Sequence, residues 1–351
     1  MAQGTIGTNG PGRESVLFTA ARRASRRSLR ILCYHGLWTA PGAPHGECLF
    51  MAEEQFAARM RWLAASRYPV LPLDEAVDRL QAGTLPACAV VITIDDGWLS
   101  TATHMAPMLH ELRLPATLYV STWYVEHQAI VVNVVVNFVI DRAQGRWLDL
   151  SDVIPGMPHP LLLGDKPARA ALALRINQAI DAVPTLTIRV GLAHRLAVRA
   201  GIALEPFDQQ FRFMTPELLR HVHALGIAIE LHGHRHQSVD ASGADLTREL
   251  ADNRAAIARA GVTAAARHFC YPKGDLMPGI DAQLARHGVL SATTTRRGLN
   301  PPGTPVHRLA RLLDGPRISQ RSFEAWLAGL YQPYDRFKRQ WLEPTAQQGF
   351  V

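Results

Sequence analysis

Residues 87–98 read Ala-Cys-Ala-Val-Val-Ile-Thr-Ile-Asp-Asp-Gly-Trp, an apolar run that stops on two carboxylates and a glycine. A continuous, largely β-branched run suits a strand covered on both faces, as in a parallel sheet or barrel. What surrounds it sets the fold class. Upstream, Arg30 to Tyr34 reads as a short buried strand, and Met51 to Ser66 and Leu73 to Ala82 have helical spacing. Downstream come helix His104 to Leu112 and strand Pro115 to Ser121. After residue 212 the rhythm resumes: helix Thr215 to Leu225, strand Ile227 to Leu231, helix Asp245 to Ala260, strand His268 to Tyr271, helix Gly279 to His287 and strand Leu290 to Thr294. Strand alternating with helix is the signature of an α/β architecture. Thr215-Pro216-Glu217 is a helix start, with a threonine cap and proline at the first helical position. No internal repeat is seen.

Residues 126–212 break this rhythm with helical stretches at Ala168 to Ala182 and Leu186 to Ala200 and a Pro/Gly loop near 155–166. They read as a helical insertion on the barrel, a lid or partner surface. Residues 1–28 are expected to form a mobile basic arm, with order beginning at Leu29, and residues 313–351 a C-terminal helical extension. The domain between spans 29–312.

Of the 351 residues 48% are apolar and 19% charged, which excludes wholesale disorder. The net charge of +7 favours anionic partners without naming one. Part of it sits in Arg22, Arg23, Arg26, Arg27 and Arg30, a patch that reads as a solvated terminus or as an arm for an anionic surface. Cys33, Cys48, Cys88 and Cys270 form no CxxC pair, which fits a reducing compartment. The start of the chain has no basic segment followed by an apolar one, so a cytoplasmic location is expected. The most apolar stretch, Ala129 to Ile140, is interrupted by Asn133 and Asn137. It falls short of the ~20 residues of a membrane span and reads as a buried helix.

Two strand ends carry the chemistry. Asp95 and Asp96 arrive at the carboxyl end of a buried strand, where α/β folds place their active sites. Adjacent side chains diverge, so one acid can bind a metal while the other faces substrate. Asp-Asp-Gly is also good chemistry for a plain solvated turn. The second feature, His232-Gly233-His234-Arg235-His236, follows strand Ile227 to Leu231. If the chain turns helically there, His232 and His236 share a face and converge on one ion. Two histidines and one carboxylate suit Zn²⁺, with Co²⁺, Ni²⁺ or Fe²⁺ as alternatives. The remaining carboxylate is a candidate general base.

With these residues in view, the chain resembles a polysaccharide deacetylase, the NodB-homology type of carbohydrate esterase family 4. Thr93 to Gly97 resembles that family's T-F-D-D-G motif, and His232 to His236 its H-[S/T]-x-x-H motif. Phe269-Cys270-Tyr271-Pro272-Lys273-Gly274 resembles its third motif, R-x-P-x-G after a strand. The resemblance spans about residues 29–125 and 213–312. It implies a distorted β/α barrel with fewer than eight strands. It implies Asp95 as catalytic base, Asp96, His232 and His236 as metal ligands, and the backbone N–H of Lys273 as an oxyanion donor. The substrate implied is an N-acetylated or N-formylated amino sugar of a cell-surface polysaccharide or its precursor. An anionic glycan or a lipid-linked precursor fits among the partners, and no nucleic acid is expected.

The chain departs from the family pattern in three places. Gly233 stands where Ser or Thr is usual, Cys270 stands where an arginine normally orients the base, and no clear Leu-x-His motif closes the chain. The general acid therefore needs another source. Cys33-Tyr34-His35 resembles the Tyr-His that opens one branch of the family, which points to His35, with His307 as rival. Trp98 and Trp123 follow strands and suit either sugar stacking or core packing. Tyr271 joins Lys273 and Trp98 as a candidate on the substrate and oxyanion side, Arg308, Arg311 and Asp275 are weaker candidates for substrate contact, and His221 and His223 read as helix-surface residues. Two further readings stay open: a hydrolase of another small amide on the same scaffold, and a sugar-binding barrel without turnover.

Overall fold

The computed structural model describes residues 16–330, apart from 47–48, 144, 146, 152–160, 184, 238–243 and 275–277. Residues 1–15 of the expected arm, most of the loop near 155–166, Cys48, Asp275 and residues 331–351 of the expected C-terminal extension lie outside the described residues.

Seven parallel strands close into a barrel, in line with a β/α barrel of fewer than eight strands. In chain order they are β1 (Arg30–Tyr34), β2 (Val90–Asp96), β3 (Ala116–Val120), β4 (Ala228–Leu231), β5 (His268–Cys270), β6 (Ser291–Arg297) and β7 (Leu309–Leu313). Each pairs with its sequence neighbour, and β7 returns to pair with β1 through Leu32↔Leu312 and Cys33↔Leu313. β2 is buried along its whole length, as the apolar run requires, because it lies between β1 and β3 and under helices. It starts later than its composition suggests, since Cys88 has a positive φ of 61° and turns the chain. It also runs through both carboxylates rather than stopping before them.

Strand β7 is not foreseen in the sequence. Leu309-Ala310-Arg311-Leu312-Leu313 carries an arginine at its centre, which hides the strand pattern. The barrel extends through Leu313, so the C-terminal region past it begins one residue later than expected, with helix Gln320–Leu327 as its described part.

The described part of the N-terminal segment is docked, which corrects the expectation of mobility up to residue 28. Val16–Ala24 is a helix. Arg30 is fully buried, donates from Nη2 to Ser25 Oγ at 2.7 Å, and donates from Nε to the Leu327 carbonyl at 2.5 Å. The Cys88 N–H donates to the Arg26 carbonyl at 2.7 Å. A buried guanidinium cannot be left without acceptors, and it finds them in the chain before β1 and in the C-terminal helix.

The insertion follows β3 and so stands at the carboxyl rim of the barrel. Its helix Val132–Arg142 buries Val134, Val135, Val136, Phe138, Val139 and Ile140, and packs against helices Lys166–Asp181 and Leu186–Ala200. Asn137, which interrupts the apolar run, accepts from Asn177 at 3.1 Å. Phe138 joins Trp38, Phe207 and Phe211 in one aromatic cluster that continues through Phe50 to Trp98. Thr215 caps helix Pro216–Ala224 by accepting from the Leu218 N–H. No helix is long and apolar enough to cross a membrane among the described residues.

Candidate active site

Asp95, Asp96, His35, His232 and His236 meet on one rim, but not by the local geometry expected. In a regular strand Asp95 and Asp96 would point to opposite faces. Asp96 instead adopts φ 76° and Gly97 φ 108°, so the chain bends sharply as it leaves β2 and both carboxylates serve one site. Asp96 Oδ1 lies 3.3 Å from His232 Nε2 and 3.5 Å from His236 Nε2. The histidine loop is not helical, which corrects that expectation. Gly233 at φ 70° and His236 at φ 54° turn the chain so that the two imidazoles stand with centroids 4.9 Å apart.

The three donors Asp96, His232 and His236 fit a divalent cation. Their ligand atoms lie within 4.8 Å of one another, and all three residues are largely buried. His232 Nδ1 is 2.8 Å from the Cys270 carbonyl, which can only accept, so the ring carries its proton there and turns Nε2 toward Asp96. Burial pushes His236 down to about 4, leaving it neutral and able to ligate at physiological pH. Burial alone would raise Asp96. The imidazoles of His232, His35 and His236 beside it hold it well below the usual carboxylate range.

Asp95 is held separately. Its two oxygens accept from Arg311 Nη1 and Nη2, each at 2.7 Å, a bidentate pair buried to within 1–2% exposure on both sides. Burial opposes its charge, but the Arg311 guanidinium and hydrogen bonds outweigh this and keep it ionised below its ordinary pKa. Arg311 also donates to the Thr294 carbonyl at 2.9 Å and lies 3.2 Å from Cys270 Sγ. The small side chain of Cys270 on β5 leaves room for a guanidinium arriving from β7. Arg311, a weaker candidate for substrate contact in the sequence, is 1% exposed and directs its guanidinium to Asp95. An arginine inside an apolar run after the last recognised strand was the available signal.

The structure separates the two candidate acids. His35 Nε2 is 3.7 Å from Asp95 Oδ2. His307 Nε2 is 2.9 Å from the Val289 carbonyl, and its own carbonyl accepts from Tyr271 Oη at 2.9 Å, so both His307 and Tyr271 are engaged in packing the wall. Trp98 is 1% exposed and cannot stack on a sugar. Its indole N–H donates to Asp96 Oδ2 at 2.8 Å, leaving Oδ1 for the histidines. Trp123 is half-buried on the rim, stacked on His127 at 4.4 Å, and its backbone N–H donates to the His234 carbonyl. Lys273 adopts φ 60° between Pro272 and Gly274, and its charge reaches His236. Arg308 pairs with Asp281 at 2.8 Å; on helix Pro216–Ala224, His221 is exposed and His223 bonds the Ile227 carbonyl.

Two supports of the histidine loop left no trace in motif or spacing. Asn253 is fully buried and accepts from the His232 N–H while donating to the Val120 carbonyl and Thr122 Oγ1. Glu249 accepts from the Arg235 N–H at 2.7 Å and from its guanidinium at 2.6 Å. These bonds brace the loop where Gly233 supplies no side chain. A Cβ at Gly233 would stand 3.2 Å from Glu249 Oε2 in a left-handed conformation. Gly233→Ser is therefore expected to destabilise the fold by about 1–2 kcal/mol. Equilibrium denaturation checks this, and a more stable serine variant would show that the φ assignment is wrong.

Residues 82–291, more than half of the chain, match the family Polysaccharide deacetylase. No curated protein matches. Among solved structures, the chain is similar to the Streptococcus pyogenes deacetylase PplD in complex with acetate, with TM-score 0.54, 15% identity, and 84% of this chain and 96% of that one covered. It is also similar to IcaB from Ammonifex degensii (TM-score 0.52, 18% identity, 86% and 97% covered). A third likeness is to a de-N-acetylase from Aggregatibacter actinomycetemcomitans (TM-score 0.52, 14% identity, 85% and 99% covered). At these identities the structures speak for a shared barrel, and the family match carries the assignment. With the family match over more than half of its length and a closed seven-strand barrel, the chain belongs to the polysaccharide deacetylases, hydrolases of carbon–nitrogen bonds.

Proposed function

We propose that this chain removes an N-acetyl or N-formyl group from an amino sugar of a cell-surface polysaccharide or its precursor, with a divalent cation, Zn²⁺ first, held by Asp96, His232 and His236. The observation that supports it best is the division of labour between adjacent aspartates. Asp96 Oδ1 faces two imidazoles at 3.3 and 3.5 Å, while Asp95 is clamped by Arg311 beside them. When bound, the cation would polarise the acyl oxygen and make a water acidic enough to react near neutral pH. Asp95, kept ionised by Arg311, takes the proton as that water attacks the acyl carbon. The backbone N–H of Lys273 is the proposed hydrogen-bond donor to the developing oxyanion. His35 then gives a proton to the departing nitrogen, because an amine anion is too poor a leaving group. The bond broken is acyl C–N, and the products are the carboxylate and the free amino sugar.

Acetate release from N-acetylated amino-sugar oligomers tests the reading. His232→Ala is expected to abolish acetate release and the uptake of the first equivalent of cation, measured by equilibrium dialysis at limiting metal. Undiminished release by a folded His232→Ala protein would overturn the metal assignment.

A further inference from the structure

We propose that Cys33 Sγ, His35 Nε2 and Asp95 Oδ2 form a second, inhibitory site for a thiophilic divalent cation such as Zn²⁺ or Cd²⁺. The inhibitory consequence rests on the roles given above to Asp95 and His35. The three donor atoms lie within 4.8 Å of one another. Cys33 Sγ and His35 Nε2 are each 3.7 Å from the same carboxylate oxygen. A tetrahedral zinc with bonds of about 2.0–2.3 Å spans donors at such separations after small side-chain shifts. The topology makes the cluster: β1 pairs with β2 in parallel with Cys33↔Thr93 in register, so Cys33 and His35 leave β1 beside the aspartates at the end of β2.

The chemistry of this cluster differs from that of its neighbour. Asp96, His232 and His236 offer one oxygen and two nitrogens, whereas the second group offers sulfur, nitrogen and oxygen. Sulfur favours zinc and cadmium over magnesium or calcium. Cys33 is buried and not in a disulfide, and His35, with an 11% exposed side chain, opens the cluster to the rim. On binding, the Cys33 thiol loses its proton to solvent and the sulfur–cation bond forms with no change of oxidation state. Thiolate and carboxylate then set two negative charges against the Arg311 guanidinium, which already donates to both Asp95 oxygens. That guanidinium repels an ion at this site and has no counterpart bonded to the first-site donors among the described residues, so the second site is the weaker of the two and fills in excess metal. Filling ties up the proposed base and the proposed acid together.

The test is a Cd²⁺ titration of the full chain stripped by a chelator, followed by ultraviolet absorption and equilibrium dialysis. The first equivalent is expected to bind without a thiolate-to-cadmium charge-transfer band, and the second to bring that band. Acetate release with one equivalent of Zn²⁺ bound should be largely lost in excess Zn²⁺. Cys33→Ser and Cys33→Ala, each shown to be folded by circular dichroism, should bind one equivalent, lack the band, and keep their own one-equivalent activity in excess Zn²⁺. Cys270→Ser should keep the band. Wild-type protein that binds one equivalent and never shows the band overturns this proposal alone. A band that survives both Cys33 variants, or that only Cys270→Ser removes, overturns it as well. A folded chain that takes up no cation sinks the first site and this one together.

Discussion

Arg311→Ala is expected to cost about 3–5 kcal/mol of stability, because it leaves the Asp95 carboxylate charged and buried without its partner. The pair is 1% and 2% exposed, so solvent cannot replace the lost hydrogen bonds. The loss should depend on pH in a defined direction. In the intact protein the carboxyl is held below the ordinary aspartate value of 3.8, so its contribution is present above that value and fades as pH falls through the lowered pKa. In the variant, burial without the guanidinium raises the carboxyl, which penalises the folded state above 3.8. The gap between the two proteins should thus be widest near neutral pH and narrow on acidification. Activity should fall too, since Asp95 without the guanidinium is no longer held ionised and aligned to take a proton. Arg311→Lys should recover part of the stability but little of the activity, because a single ammonium cannot bridge both carboxylate oxygens. Urea denaturation at several pH values, paired with acetate-release rates, measures both. An alanine variant as stable as the wild type at neutral pH would remove Arg311 from its assigned role.

Asp95→Asn should lower the rate of acetate release about 10²–10⁴-fold, the range spanned by loss of a positioned general base. The amide keeps the shape of the carboxyl group but has no basic oxygen. The three atoms assigned to the cation come from Asp96, His232 and His236, so dialysis should still find the first cation bound. The combination of lost turnover and kept cation distinguishes a base from a ligand. Rates within a few-fold of wild type would point to a different base, and loss of the first cation would mean that Asp95 belongs to the ligand set. Asparagine also leaves the buried Arg311 guanidinium without its counter-charge, so the comparison is made on protein shown to be folded.

The barrel was legible because its signal is local. Runs such as residues 87–94 and 116–120 can be buried on both faces only in a covered parallel sheet, and the helices between them keep their period. Strand β7 was not legible, because Arg311 breaks its apolar pattern and its meaning depends on Asp95, 216 residues away. The docking of residues 16–28 was hidden for a similar reason. A segment rich in arginine looks solvated until Arg30 is seen to end on carbonyls and a hydroxyl in the interior.

By itself, the order of residues determined the alternation of strand and helix, the family, and the placement of two carboxylates and a histidine cluster at strand ends. Only the tertiary structure decided which groups face one another. It set Asp96 toward the imidazoles by a left-handed bend, gave Asp95 an arginine from the last strand, turned Trp98 inward and tied His307 to the wall. Periodicity is a property of neighbours along the chain, whereas the charge and direction of a buried group are fixed by whatever the closed barrel brings within about 3–4 Å of it.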